Sequence, residues 1–376
     1  MSAADVDVAV IGAGIVGAAC AWRLAQRGLN VLVLERDQPA SGSTGKSAAG
    51  VRAQFASEPN IRLSQESISE YAAMPQSGYQ PGGYLMLVPE HHWVEHQAGV
   101  ALQQQLGVPS ELLTPQAAQG HLPFEPSGLG GCSFCPTDGF VDAHSLTFEY
   151  VRLARDAGVT VWTETPVTAI RPGASGGAGW CLETSRGDVR ATQVLNAAGA
   201  WAGQVGALAG LDIPVRPARR MVFTTGPLHP PRRVPMVFDL ESGVWLRSEG
   251  ERLIFGRADP ADVGWREGLD WAWLDPTLEA ALNRFPWLET AGLDRRASWW
   301  GYYEITPDHQ PILGRMPGVH GWLNACGFSG HGVMQAAAAA RVLAQEACED
   351  APFINIDALR YERFLAGAVV SSDIQL

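Results

Sequence analysis

The chain has 376 residues, 46% of them hydrophobic, with 42 glycines, 25 prolines and a formal net charge of -12. That length is comfortable for two domains, and the apolar, turn-rich composition describes a compact α/β enzyme and excludes a disordered or coiled protein. The acidic balance argues against nucleic acid or an anionic membrane surface as the main partner.

Val6 to Ile11 is an apolar run ending at glycine and reads as a buried parallel strand. The alanine-rich Ile15 to Leu24 reads as the helix that covers the sheet, Gly28 stops it, and Val31 to Glu35 is a second strand. This βαβ unit carries Gly12-Ala-Gly14-Ile-Val-Gly17 at its first turn and Glu35 at the tip of its second strand, a pattern that binds a dinucleotide. Gly12 permits the tight turn, Gly14 lets backbone approach a pyrophosphate, and Gly17 allows helix and strand to pack closely, while the helix N-terminus offers free N–H groups. A glycine turn before an ordinary core helix is the plainer alternative, but strand, helix, second strand and acid all agree. Glu35 disfavours a 2′-phosphate, an objection that Arg36 softens, and the fingerprint alone does not choose between FAD and NAD. The stretch Val8 to Ala25 has little charge, yet the acidic Met1 to Asp7 lacks the positive charge of a leader. The expected location is therefore cytoplasmic, with no transmembrane segment.

The segment Pro39 to Arg52, which includes Ser43, Thr44, Ser47, Ala48 and Ala49, is small and polar, suited to passing close against a flat ligand or to an ordinary loop. Helices are expected over Asn60 to Met74, Trp93 to Leu106 and Ser145 to Gly158, and a strand over Gly83 to Val88. Cys132-Ser-Phe-Cys135 has the spacing of a redox pair or half a zinc site, but no second pair accompanies it; two small residues on a turn is the expectation, and no metal site is expected. Cys20 should be core, and His121 and His144 should be surface or hydrogen-bonded. Val159 to Ile170 shows strand alternation, Trp180 to Val194 a hairpin, and Thr192 to Trp201 repeats the strand-to-small-residue turn, as a second sheet edge against the same nucleotide. Strands are expected at Arg219 to Thr225 and Gly243 to Arg257, and Arg216, Arg219 and Arg220 look like a solvated basic turn. Finally, Gly321 to Met334 reads as a strand, a glycine loop and the start of a helix running to about Cys348.

Taken in order, Gly12 to Gly17, Ser43 to Arg52, Asn196-Ala-Ala198-Gly199-Ala-Trp201, Thr306-Pro-Asp308 and Gly327-Phe-Ser-Gly330-His331-Gly332 resemble the D-amino acid oxidase superfamily of FAD enzymes. That superfamily includes glycine oxidase, sarcosine oxidases and the flavin subunit of dye-linked proline dehydrogenase. The resemblance implies an α/β fold with a Rossmann-like FAD-binding domain assembled from discontinuous segments (1–75, 145–215 and 312–376). A second, α+β substrate domain (76–144 and 216–311) is built on a large mixed sheet. It implies that Glu35 and Arg36 meet the adenosine ribose, Val167 the adenine through its backbone, and Ser43, Thr44, Ser47, Ala48 and Ala49 the pyrophosphate or ring. Ile15, Ala198, Gly199 and Trp201 would complete that wall, and Gly327, Gly330, His331, Gly332, Val333 and Met334 would line the redox edge of the flavin. Gly301 stands where some relatives carry a flavin-linking cysteine, so FAD is expected to be non-covalent.

The implied reaction is hydride transfer from a small amine or amino acid, such as glycine, sarcosine or proline, to flavin N5. The acceptor would be oxygen or an electron carrier, and a homo- or hetero-oligomer is possible. Arg52 matches a carboxylate-binding arginine of the superfamily, its alternative being a pair with Glu58; Tyr303 and His331 are the other candidates for orienting groups, His331 alternatively bonding its own loop. The companion lysine falls on Met334, and Leu253 to Arg257 lacks the lysine linked to oxygen activation. A flavoprotein subunit or assembly protein that acts only with a partner is the competing class.

Overall fold

The structure, a computed structural model, describes residues 4–173 and 179–365. Met1–Ala3 of the leader argument and the outer ends of the expected FAD domain, 1–3 and 366–376, lie outside the described residues.

The strand Ala4–Ile11 is buried along its second half and lies at the centre of an eight-stranded sheet. It pairs in parallel with Val31–Leu34 on one side and Val189–Asn196 on the other. Ile11 is level with both Leu34 and Asn196, so three strand ends open at one edge of the sheet. Thr160–Trp162 extends the sheet beyond Val31–Leu34, and Trp322–Cys326 followed by Ile312–Arg315 extends it beyond Val189–Asn196. On one face the helix Ile15–Gln26 packs against Gly332–Ala347 and Ala143–Asp156. Alanines dominate those contacts, which lets helices approach closely around Cys20, itself fully buried.

A second eight-stranded sheet runs in the order Trp299–Ile305, Arg216–Thr224, Arg252–Arg257, Val244–Glu249, Met236–Asp239, Tyr84–Pro89, Leu129–Cys135 and Glu111–Leu113. It is mixed, because Met236–Asp239 joins Tyr84–Pro89 in parallel while the other pairs are antiparallel. A short ladder between Gly50–Val51 and Gly139–Phe140 anchors the end of the small-residue loop. The fold is thus a Rossmann-like FAD domain assembled from separated segments beside a second domain on a mixed sheet.

Several expectations are corrected. Cys132 and Cys135 lie in a strand, not on a turn; three residues apart on a pleat they face opposite sides, one in each of two hydrophobic clusters, and cannot form a pair. Val189–Asn196 is interior to its sheet rather than an edge. Val159 to Ile170 splits at Glu164, which has φ 52°, and Pro166 into two strands. Gly243 to Arg257 is a hairpin turning at Gly250. The low-charge stretch Val8 to Ala25 divides into strand, turn and helix, and among the described residues no helix is long and apolar enough to cross a membrane. His121 and His144 are exposed, as expected, the first stacked on Phe134 and the second tilted against Phe148.

Candidate active site

The first turn is shaped by three glycines with three different reasons. Gly12 has φ 105°, and a Cβ there would stand 2.5 Å from the Ala197 carbonyl oxygen. A Cβ on Gly17 would run into the Gly12 carbonyl, so helix and turn touch backbone to backbone. Gly14 is the N-cap of the helix Ile15–Gln26 and supplies no side-chain cap, leaving the first N–H groups for other acceptors. One of them is engaged within the chain, Ile15 N–H donating to Thr44 Oγ1 at 3.2 Å, and just before the helix Ala13 N–H donates to Glu35 Oε2 at 2.7 Å. Glu35 also accepts from Asp37 N–H at 2.8 Å, which fixes its carboxylate at the strand tip.

A cleft of about 1320 Å³, open solvent included, runs from this turn. Gly12, Gly14, Glu35 and Arg36 lie on its wall, with Val167, Ala198, Gly199 and Trp201 opposite. The Arg36 guanidinium lies 4.3 Å over the Trp201 ring. Ser43 Oγ is buried there with no hydrogen-bond partner, a donor left for a ligand. Glycines where a Cβ would intrude, free helix N–H groups and an orphaned hydroxyl fit a pyrophosphate-bridged dinucleotide.

A second chamber of about 910 Å³, open solvent included, joins the cleft through Ile15, Val16, Ser43, Thr44 and Glu304, which line both. Ser47 and Ala48 form one side, and Gly330, Gly332 and Val333 at the start of Gly332–Ala347 form another. The second sheet is the roof: Arg220, Met221 and Val222, then Phe238, Trp245, Arg257 and Tyr303. The Tyr303 ring packs where a side chain on Gly330 would be, which is why that loop carries glycine.

Not every expected residue reaches the wall. Gly17, Ala49, Gly327, His331 and Met334 stand behind it. Arg52, 3% exposed, is behind it as well: its guanidinium donates to the Gln54 carbonyl, lies 4.1 Å over Phe55, and has Nη2 3.4 Å from His331 Nε2. Glu58 pairs instead with Arg62 at 2.7 Å. Burial and the neighbouring Arg52 charge hold the His331 imidazole neutral, well below its ordinary range. Burial likewise raises the Tyr303 hydroxyl, which stays protonated.

Of the several wall residues that sequence reasoning missed, two stand out. Arg220 belongs to the strand Arg216–Thr224, not to a solvated turn, and burial lowers its guanidinium. Arg219, its neighbour, points the other way and is buried against Asp262 at 2.8 Å. Glu304 is the other: its Oε2 accepts from Gly327 N–H at 2.7 Å, yet burial pushes its carboxyl up to about 7. The only sequence signal for Glu304 was its place beside Tyr303.

A dinucleotide cleft continuous with a second, sheet-roofed chamber defines a flavoprotein of the oxidoreductase class. Residues 7–346 match the family model described as FAD dependent oxidoreductase, and the chain belongs to that family. It is 30% identical to the FAD-dependent oxidoreductase domain-containing protein 1 of Bos taurus, over 96% of this chain and 85% of that one. It is 28% identical to the mitochondrial sarcosine dehydrogenase of Homo sapiens, over 87% of this chain and 38% of that one. The chain thus spans about two fifths of the length of that relative. Among solved structures, the L-proline dehydrogenase from P. horikoshii superposes with a TM-score of 0.88 at 28% identity, covering 97% of this chain and 99% of that chain.

Proposed function

We propose that this chain oxidises the carbon–nitrogen bond of a small amino acid or secondary amine, glycine-, sarcosine- or proline-like, using FAD held non-covalently. The observation that carries this reading is the joined cavity, in which a dinucleotide cleft opens into a chamber of a size and polarity suited to a flavin ring and a small donor. FAD bound along it supplies the hydride acceptor. Gly12, Gly14, Ser43 and Thr44 would hold its pyrophosphate, Glu35 its ribose hydroxyls, and the Val167 backbone its adenine. Met221, Val222, Phe238 and Trp245 exclude water from the donor. Tyr303, protonated, orients it, with neutral His331 and Arg52 supporting that wall from behind. The flavin would take the α-hydrogen as hydride with its electron pair while the nitrogen lone pair closes a C=N bond, and water would then hydrolyse the iminium to a carbonyl compound and an amine.

Non-covalent attachment is supported by the wall itself, where among the described residues no cysteine or histidine is present. At Gly301 an added Cβ would meet Lys46 Cβ at 2.9 Å. Acid precipitation should leave the yellow colour in the supernatant; colour in the pellet contradicts this part. Anaerobic mixing with sarcosine, proline, glycine and N-methylated amino acids should bleach the oxidised flavin band with at least one of them, and no bleaching with any would overturn the reaction class. The greater length of the sarcosine dehydrogenase relative favours a second reading, turnover only with a partner. A stable natively expressed complex, with turnover confined to it, would select that reading.

A further inference from the structure

Of the buried and half-buried arginines in the second domain, all but the half-buried Arg220 meet a carboxylate or at least two carbonyls. Arg219 is paired with Asp262 and Asp270, Arg247 with Glu249, and Arg284 with Asp239. Arg257, which also reaches the chamber, donates to the Ser242 and Pro276 carbonyls and lies over Trp273. Arg220 differs. Its Nη1 donates to the Arg219 carbonyl at 2.9 Å, but its Nε is buried without a partner, and among the described residues no carboxylate lies within ion-pair distance. Asp262 and Asp259, the two acids whose field reaches it, both stand beyond ion-pair distance, and Asp262 is already engaged by Arg219 and Arg266.

A guanidinium cannot escape burial by losing its proton, so an unpaired one is a persistent cost unless an anion arrives. The side edge formed by Nε–H and Nη2–H is the edge that makes two parallel bonds to a carboxylate. The guanidinium stands 5.2 Å over the face of Tyr303, which holds it on the chamber wall. The rest of the wall agrees in sign: Lys46, Arg220 and Arg257 face a single acid, Glu304.

We infer that Arg220 binds the carboxylate of the substrate, so the chamber selects amino acids over amines that lack an acid group. Arg52 is then a positioning residue that fixes His331 and Phe55. This rests on the reading of the second chamber as the substrate site, and strand alternation is what produces it: Arg219 turns away to Asp262, and Arg220 turns in.

The test uses the FAD-loaded protein titrated with pyrrole-2-carboxylate, a planar acid with no α-hydride to give, and with pyrrole. Carboxylate binding is followed by perturbation of the flavin absorption. The wild type should show a saturable response to the acid and a far weaker one to pyrrole. Arg220→Gln should weaken the acid roughly a hundredfold, the loss expected for truncating one member of a buried charge pair, and Arg220→Lys should recover only part of it. FAD content and thermal midpoint certify each variant, and Arg220→Lys carries the test if Arg220→Gln does not fold. No response to the acid in the wild type, wild-type binding in both Arg220 variants, or a larger loss in Arg52→Gln than in Arg220→Gln would each overturn the inference. Normal acid binding lost at Arg220, with no amine or amino acid able to bleach the flavin, sinks the proposed reaction and leaves the site standing.

Discussion

Glu304→Gln puts a number on the least expected residue of the site. The carboxyl is raised from its ordinary 4.5 to about 7 because burial disfavours its charged form, against the pull of the Gly327 and Phe328 N–H groups. A raised acid favours the folded state while protonated. Its stabilising contribution is therefore complete below about pH 4.5 and is lost as pH rises through about 7. At 1.36 kcal/mol per pH unit that rise corresponds to roughly 3 kcal/mol, an upper bound because the carboxyl opens on a cavity that water enters. Glutamine keeps the shape and cannot ionise. Its own cost is a weaker bond to Gly327 N–H, about 1 kcal/mol. Urea unfolding of the FAD-free protein should therefore find the variant equal to or slightly below the wild type at pH 5, and above it by about 1–2 kcal/mol at pH 9. A difference that is the same at both pH values would refute the argument, since only the titrating carboxyl separates the two chains.

Gly17→Ala should lower both FAD content and thermal midpoint, because its Cβ meets the Gly12 carbonyl and helix and turn must separate, an overpacking cost of about 1–3 kcal/mol; a variant purified fully yellow would contradict that. Arg363→Ala removes the partner of Asp308, whose carboxylate takes Arg363 Nε at 2.6 Å and also accepts from Thr306 Oγ1 and Gln310 N–H. Leaving that buried acid unpaired should cost about 3–5 kcal/mol by denaturant unfolding, and a loss below 1 kcal/mol would show the pair to be dispensable.

The first forty residues were legible because everything needed is local. The period of the apolar run, the glycine spacing and the acid at the strand tip all lie within one βαβ unit, and the structure adds only what each glycine touches. The second sheet was legible in part. Met236–Asp239 is four residues long and owes its existence to neighbours on both sides, including Tyr84–Pro89, about 150 residues away in sequence. Arg216, Arg219 and Arg220 resemble a solvated turn because charge usually marks exposure; what buries Arg219 is Asp262, 43 residues further on, which no local pattern announces. Arg52 illustrates the converse. A motif fixed its place in the chain, but the direction of its side chain was settled by Phe55 and His331, one of them 279 residues distant.

In the proposed reaction a C–H bond next to nitrogen is broken as the flavin is reduced. The direct measurement is the anaerobic rate of flavin bleaching by the best donor of the panel, compared with the same donor deuterated at its α-carbon. Slower bleaching of the deuterated donor by several-fold, with a carbonyl compound trapped from the spent mixture, is the result expected. Equal rates at saturating donor, or bleaching that yields no carbonyl product, would contradict it.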